Sequence, residues 1–361
     1  MDQSRRDFIK MGATVVGGAS IGIQMDASAQ DGRAGAKVSV NSMTPLAGQF
    51  GHRLATCIFE ANSAPGIGIV LDDGRVIDLV AEAKRQGMTL AFSGNSMISL
   101  IASGDIGMAQ VNALTKNTDA MTSKLMTVNQ VKLLSPVPKP ERNIYCVGWN
   151  YLEHFEEGKE ARADKGVTAM PDHPVFFSKA THTMNGPFDA IPYQPSYTGT
   201  ADWEAELAVV LGKKGRNIPE ETAMEHVFGY SAFNDTTVRE VQQKWHGGQW
   251  FKGKSLDGYG PMGPWIVTAA GVNLDEVRII CRVNGVEKQN ASYKQMYFKI
   301  PRIIAELSRG LTLEPGDIIA TGTPPGVGYS RKPPEFLKPG DVMETEIAGV
   351  GVLRNTIETE A

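Results

Sequence analysis

Two glutamates stand two residues apart in a run where a strand would otherwise carry apolar side chains. They are Glu204 and Glu206, within residues 202–211. Side chains at positions i and i+2 of a strand point to the same face, so both carboxylates would project together, with the stripe beginning at Leu207 opposite them. Two negative charges this close repel each other, and a bound cation would neutralise them. From spacing alone, the alternative is a pair of glutamates on the wet face of an edge strand.

A third acidic residue, Asp235, follows another short apolar run. Carboxylate oxygens favour a hard cation, so the set predicts Mg²⁺ first, with Mn²⁺ or Ca²⁺ behind it, and makes zinc the poorer candidate. The cysteines at positions 57, 146 and 281 are widely spaced and form no Cys-x-x-Cys pair, so they indicate neither a zinc site nor a disulfide framework. Each lies in an apolar run, which favours a buried role.

A second pair with chemical potential is His154 and Glu157, three positions apart after the strand-like residues 144–148. On a helix these two side chains share a face, and Asn150 is placed to cap that helix. A carboxylate beside an imidazole fixes its tautomer and stabilises the imidazolium, which makes His154 a competent general base for water. The alternative is an ordinary ion pair on a surface helix.

Four blocks of sequence, in order, resemble the fumarylacetoacetate hydrolase family. They are DWEAELAVVLGKKGRNIP, GYSAFNDTTVREVQ, QWFKGKSLDGYGPMGPW and GDIIATGTPPGVG, and the resemblance extends from about residue 53 to residue 355. In that family a Glu-x-Glu pair and a later Asp bind Mg²⁺ or Mn²⁺, which implies this role for Glu204, Glu206 and Asp235. The block CVGWNYLEHFEEG resembles the one in which a His and a Glu activate water, which implies catalytic roles for His154 and Glu157.

The resemblance implies further site residues. Lys254, in the GKS block, would stabilise negative charge on an enolate oxygen of the substrate. The loop of residues 321–328 lacks the Gly-Lys-Ser/Thr ending of a phosphate loop. In the family it borders the pocket, and Thr323 with its backbone would hold the substrate carboxylate. The other predicted substrate-binding residues are Tyr151, Lys179, Arg239 and Gln242.

The sequence departs from the family at two places near these residues. Trp149 stands where an aliphatic residue or Arg is usual, and SKATHTM at residues 178–184 replaces a Lys-Pro-rich strand, although Lys179 is retained. Either change would reshape the pocket.

The first 29 residues predict an export signal. Arg5-Arg6 with Phe8 are followed by a Gly-rich apolar run over residues 11–23 and by small residues at 27–29. The paired arginines resemble the twin-arginine signal, which exports folded proteins. The apolar run is shorter than the roughly 20 residues that a spanning helix needs. We expect a periplasmic protein cleaved near residue 29, without a membrane anchor after cleavage and with a flexible leader over residues 30–50.

Gly-punctuated strands and few long helices predict a β-rich α+β fold. Prolines at 136, 138 and 140 predict a boundary between a small N-terminal domain, residues 51–135, and a catalytic domain, residues 141–358. For the latter the resemblance implies a mixed β-sandwich roll and a homodimer. The net charge is −4, and no Lys/Arg cluster is interleaved with aromatic residues, so nothing indicates a nucleic-acid partner.

Together these features predict a metal-dependent hydrolase that cleaves a carbon–carbon bond of a small β-diketo or 2-oxo acid, such as an acylpyruvate. His154, oriented by Glu157, would deprotonate water for attack on the distal carbonyl, and the metal with Lys254 would accept the departing carbanion as its enolate. The same chemistry serves 2-oxo acid decarboxylation, isomerisation, tautomerisation or hydration. A periplasmic keto-acid-binding protein without turnover is the remaining alternative.

Overall fold

The computed structural model describes residues 51–116, 125–159 and 167–360 of the 361-residue chain. The predicted signal peptide and leader, residues 1–50, lie outside the described residues. Across the three described ranges, no helix is both long enough and apolar enough to cross a membrane.

Strands and helices are numbered here in chain order. The N-terminal strands are β1 (Arg53–Ile58), β2 (Gly66–Val70), β3 (Arg75–Asp78), β4 (Met126–Thr127) and β5 (Lys132–Leu134). The next are β6 (Ile144–Gly148), β7 (Val175–Lys179), β8 (Met184–Asn185), β9 (Ile191–Tyr193), β10 (Ala201–Asp202), β11 (Ala205–Leu211), β12 (Gly215–Arg216), β13 (Val227–Asn234) and β14 (Thr237–Val238). The last are β15 (Gly260–Thr268), β16 (Arg278–Val283), β17 (Val286–Ser292), β18 (Thr312–Leu313), β19 (Ile318–Ala320), β20 (Val342–Ile347) and β21 (Gly351–Thr359).

Most of the α-helices are short. They are α1 (Leu79–Arg85), α2 (Met97–Ala102), α3 (Gly104–Thr115), α4 (Leu152–Glu157), α5 (Arg239–Lys244), α6 (Phe251–Lys254) and α7 (Ile300–Ser308).

Two sheets carry most of the strands. The larger has twelve, in the order β4-β3-β2-β1-β15-β13-β11-β19-β6-β7, with β5 paired to β1 and β8 to β15. The smaller has five, in the order β17-β16-β20-β21-β9. The N-terminal strands extend the larger sheet because β1 pairs antiparallel with β15, with Arg53 opposite Val267 and Leu54 opposite Ile266.

The larger sheet is covered on both faces. On one face, Leu207 and Val209 of β11 pack in the same apolar cluster as Ile279 and Leu353 of the smaller sheet. On the other face, Ala208 and Val210 of β11 belong to a second apolar cluster, which also contains residues of the N-terminal helices such as Leu100 of α2. The N-terminal helices therefore form a third layer. These features confirm the predicted β-rich α+β fold.

The strand that follows Glu204 and contains Glu206 is buried on both faces. β11 lies between β13 and β19, and all seven of its residues are buried. The interpretation of Glu204 and Glu206 as the wet face of an edge strand is therefore wrong. The predicted single strand over residues 202–211 is also wrong, because the chain breaks between β10 and β11. Glu204 lies in this break, and only Glu206 belongs to the strand.

Other features agree closely with the sequence-based expectations. The predicted strand at 144–148 and the predicted helix that carries His154 and Glu157 form as expected, and the three cysteines are buried. Helix α3 was not predicted, since its sequence GDIGMAQVNALT mixes glycines and polar residues with its few apolar ones.

Asn150 has a different role from the one predicted. Helix α4 has Tyr151 at its N-cap position and no side-chain capping bond. The Asn150 side chain is instead fully buried, where it accepts from the Phe298 N–H (2.7 Å) and donates to the carbonyls of Phe298 (3.1 Å) and Thr321 (2.7 Å). One side chain thus joins the start of α4 to two distant segments.

Replacing Asn150 with alanine is expected to destabilise the protein. The Asn150→Ala change leaves a buried N–H and buried carbonyls without partners, at a cost on the order of 2 to 4 kcal/mol. Thermal unfolding of the purified protein measures this. Asn290→Ala, at an exposed strand position, is the control and should change the unfolding free energy by no more than about 0.5 kcal/mol. Equal melting temperatures for the two variants would contradict the assigned role of Asn150.

Candidate active site

Four strand ends meet at one edge of the larger sheet. β11 runs antiparallel to both β13 and β19, while β19 runs parallel to β6. The start of β11 therefore lies beside the ends of the other three strands. This arrangement brings Glu204 next to Asp235, whose N–H donates to the Glu204 carbonyl (2.8 Å). It also places the loop after β19 and the helix after β6 around the same point.

The three predicted metal ligands come together at this edge. Glu204, Glu206 and Asp235 each offer a carboxylate oxygen, and these oxygens lie within 4.8 Å of one another. The three residues are only 4%, 1% and 0% exposed. An oxygen-only, anionic and buried donor set is the kind that binds a hard divalent cation, so these residues fit such an ion.

Three cationic side chains surround the acidic cluster. The Lys254 ammonium lies 2.6 Å from both Glu204 Oε2 and Asp235 Oδ2. Lys179 lies 2.7 Å from Asp235 Oδ1, and Arg239 Nη1 lies 2.6 Å from Glu204 Oε1. All three cations are themselves buried. Pairing of this kind is what allows charged groups to stay inside a protein.

The glutamates differ in their tendency to ionise. Burial opposes ionisation of Glu204, yet Lys254 and Arg239 together lower its pKa to about 2. Burial raises the pKa of Glu206 well above its usual range, and the negative charges of Asp235 and Glu204 raise it further. The positive charge of Lys254 and the Gly322 N–H, 2.8 Å from Glu206 Oε2, offset only part of this rise in pKa. A bound cation would favour the ionised form of Glu206.

The His154 and Glu157 pair forms on α4 as the helical spacing predicted. His154 Nδ1 lies 2.7 Å from Glu157 Oε1. An ionised carboxylate only accepts, so in the neutral imidazole this contact favours the tautomer with its proton on Nδ1 and the lone pair on Nε2. His154 is only 6% exposed and lines the cleft described below, so the interpretation as an ordinary surface ion pair is wrong.

One loop holds both the His154–Glu157 pair and Arg239 in place. The Gly326 N–H (2.8 Å) and the Ser330 hydroxyl (2.9 Å) both lie within hydrogen-bond reach of Glu157 Oε2. Within the same loop, residues 326–330, two backbone N–H groups donate to the fully buried Asp202. Asp202 in turn accepts from Arg239 Nε (2.7 Å).

Asp202 and Ser330 are site residues that sequence reasoning missed. Asp202 opens the very segment that was singled out, and Ser330 follows the glycine-rich loop directly. Neither has a spacing that distinguishes it from an ordinary polar residue, because its partners lie far away along the chain.

Glu204 and Glu206 of the triad and His154 of the pair line one cleft, whose empty volume, counting the solvent at its open mouth, is about 540 Å³. Its lining residues are Val147, Gly148, Trp149, His154, Phe177, Glu204, Glu206, Arg239, Gln242, Gln243, Trp250, Lys254, Thr323 and Tyr329.

Three of the five predicted substrate-binding residues line this cleft. Arg239 Nη1 donates to Gln242 Oε1 (3.2 Å), while Arg239 Nη2 is buried without a hydrogen-bond partner among the described residues. Thr323 also lines the cleft, but its hydroxyl donates to the Ala205 carbonyl (3.0 Å). Arg239 therefore brings to the cleft a buried donor that has no partner among the described residues.

The other two predicted substrate-binding residues, Lys179 and Tyr151, are not among the residues that line the cleft. The Lys179 ammonium is fully buried between Asp235 Oδ1 and the Thr236 carbonyl (3.1 Å). The Tyr151 hydroxyl is buried and has no partner among the described residues. Lys179 is thus placed to neutralise Asp235 rather than to contact a ligand in the cleft.

Known proteins are similar to this chain in both sequence and fold. The chain is 41% identical over 297 residues to the oxaloacetate tautomerase YisK of Bacillus subtilis, a match covering 81% of this chain and 95% of that protein. The solved fumarylacetoacetate hydrolase EaFAH of Exiguobacterium antarcticum is 36% identical, with a TM-score of 0.69, covering 86% of this chain and all of that one.

A second solved structure contains both a metal and a small acid. It is the maleylpyruvate hydrolase of Sphingobium sp. SYK-6 in complex with manganese(II) ion and pyruvate, 29% identical with a TM-score of 0.63, covering 86% of this chain and 100% of that one. The family model described as fumarylacetoacetate (FAA) hydrolase C-terminal matches residues 143–358, more than half of the chain. The chain therefore belongs to the fumarylacetoacetate hydrolase family.

Proposed function

We propose that this protein is a divalent-metal-dependent enzyme that interconverts the enol and keto forms of a small 2-oxo acid, with oxaloacetate as the substrate. The observation that carries the proposal is the meeting, at one cleft, of two glutamates of a buried acidic triad, the histidine of a proton-transfer pair and a buried arginine with an unpartnered donor. The extensive identity with an oxaloacetate tautomerase supports this reaction over the others open to the family.

Glu204, Glu206 and Asp235 would hold the cation, Mg²⁺ or Mn²⁺. When bound, the ion would act as a Lewis acid toward the oxygens of the 2-oxo acid. Arg239 would direct its unpartnered Nη2 at a substrate carboxylate, since a buried donor gains most from an anionic acceptor. Lys254, already bonded to Glu204 and Asp235, would add positive charge where the enolate oxygen forms.

The proton transfer falls to His154. In the keto-to-enol direction its Nε2 would take a proton from the carbon next to the keto group. The C–H electrons would form the carbon–carbon double bond of the enolate while the π electrons of the C=O bond move onto its oxygen. Glu157 would stabilise the imidazolium that results through its Nδ1 contact (2.7 Å). His154 would then return the proton from Nε2 to the enolate oxygen, which gives the enol and restores the neutral imidazole. Reversal of these steps gives the keto form.

Hydrolysis of an acylpyruvate is the second candidate function, because the manganese- and pyruvate-bound relative is a hydrolase. In this reaction His154 would take a proton from water, the resulting hydroxide would add to the distal carbonyl, and the carbon–carbon bond would break to give a carboxylic acid and the enolate of pyruvate. A keto-acid-binding protein without turnover is the further alternative, and it predicts ligand binding alone.

Metal binding is expected to depend on Glu206 and on pH. In Glu206→Gln the affinity for Mn²⁺ should fall by about a hundredfold or more, since one anionic ligand is lost. In the wild type the raised pKa of Glu206 means that a cation must displace a proton, so affinity should rise with pH, by at most about tenfold per unit, and level off above that pKa.

Isothermal titration of the metal-free protein with Mn²⁺ at several pH values measures both effects. Glu358→Gln, which changes an exposed glutamate on β21, is the matched control and should bind like the wild type. Affinity that is insensitive to both Glu206→Gln and pH would show that the ion binds elsewhere.

Removal of the base is expected to abolish most of the turnover. His154→Ala should lower kcat for oxaloacetate tautomerisation roughly a hundredfold to ten-thousandfold, since positioned general bases contribute that much. Glu156→Gln, on the exposed face of the same helix, should keep full activity. The assay follows the decay of enol absorbance, with acylpyruvate cleavage measured in parallel. Tautomerase activity that survives in His154→Ala would remove His154 from the mechanism.

We also propose that the protein is exported to the periplasm by the twin-arginine route and assembles as a homodimer, as the N-terminal pattern and the family resemblance suggest. Changing both Arg5 and Arg6 to lysine should retain the protein in the cytoplasm, because that route reads the paired arginines. Cell fractionation with immunoblotting measures this, with Lys10→Gln as the control. Detection of the double-lysine variant in the periplasmic fraction would contradict the export proposal.

A further inference from the structure

Trp149 has an unusual backbone conformation. Its φ is +54°, a region that bulky residues rarely adopt. The residues on either side of it are closely constrained. A Cβ on Gly148 would come within 2.6 Å of the Trp250 ring, and the Asn150 side chain is fixed by its bonds to Phe298 and Thr321. Surroundings that determine a strained residue from both sides give its side chain a fixed direction.

Trp149 belongs to a chain of aromatic contacts. We call Phe177, Trp250, Trp149 and Phe155 the aromatic arc. The ring centroids of successive members lie 5.2, 5.2 and 5.9 Å apart, each pair in an edge-to-face arrangement. Such pairs are individually favourable, so the Trp149 ring cannot turn away without losing two of them.

The aromatic arc connects the two chemical centres of the cleft. At one end the Lys254 ammonium, which contacts the acidic triad, lies 5.1 Å from the Phe177 ring centroid. At the other end Phe155 is the chain neighbour of His154. Phe177, Trp250 and Trp149 form an apolar wall of the cleft, whereas its charged lining residues are His154, Glu204, Glu206, Arg239 and Lys254. The substituent of a 2-oxo acid held by those charged residues would face this apolar wall.

We propose that Trp149 is the specificity-determining residue that limits the length of the substrate. This inference rests on the proposed function, because it assumes that the carboxylate and keto groups are held at the charged side of the cleft. The indole ring then excludes 2-oxo acids that carry a longer alkyl or acyl chain and admits short ones such as pyruvate and oxaloacetate.

Removal of the ring tests this inference. Trp149→Gly deletes the indole and introduces the residue best suited to a φ of +54°. Trp149→Phe replaces the indole with a smaller ring and keeps an aromatic contact. Trp245→Ala is the matched control, because that tryptophan is 41% exposed and does not line the cleft. Calorimetry of the Mn²⁺-loaded protein would compare the affinities for 2-oxohexanoate and pyruvate, alongside oxaloacetate turnover.

The ratio of affinities for 2-oxohexanoate over pyruvate should rise at least about tenfold in Trp149→Gly and by a smaller factor in Trp149→Phe, and should stay unchanged in Trp245→Ala. An unchanged ratio in Trp149→Gly overturns the inference. If that variant does not fold, an unchanged ratio in Trp149→Phe overturns it instead. If the wild type does not turn over oxaloacetate, the tautomerase proposal is refuted. If the affinity ratio nevertheless rises in Trp149→Gly, the role of Trp149 is supported for whatever reaction the site performs.

Discussion

The structure depends on keeping three carboxylates buried within 4.8 Å of one another. Burying even one charge without a partner is costly, and like charges at this distance repel strongly. Lys254, Lys179, Arg239 and the Gly322 N–H offset the cost from different directions. A divalent cation would offset it further. The acidic centre is therefore stable only while its cationic partners are held in place, and each of them comes from a different segment of the chain.

The sandwich architecture supplies these segments. The edge where β11 begins is the edge where β6, β13 and β19 end, so short loops can bring distant residues together there. The smaller sheet and the N-terminal helices cover the two faces and keep β11 away from solvent. The loop of residues 326–330 connects the proton-transfer pair to the arginine. It bonds to Glu157 on one side and, on the other, to Asp202, which holds Arg239.

Much of the site could be predicted from the sequence because its motifs are local. The Glu-x-Glu pair and the His154–Glu157 spacing each occupy a few consecutive residues, and ordered blocks linked them to Asp235 and Lys254. What could not be predicted depends on long-range packing. The break before Ala205, the direction of the Lys179 side chain and the aromatic contacts of Trp149 are all determined by residues far away in sequence.

The most direct test of this account is anomalous diffraction from crystals soaked with Mn²⁺ and oxalate, a stable analogue of a planar enolate. We expect one strong manganese peak within coordination distance of Glu204, Glu206 and Asp235, with the oxalate oriented toward Arg239 and bordered by Trp149. A manganese peak elsewhere, or an acidic triad whose carboxylates remain bonded only to Lys254, Lys179, Arg239 and the Gly322 N–H at saturating Mn²⁺, would contradict the central claim that the triad is the metal site.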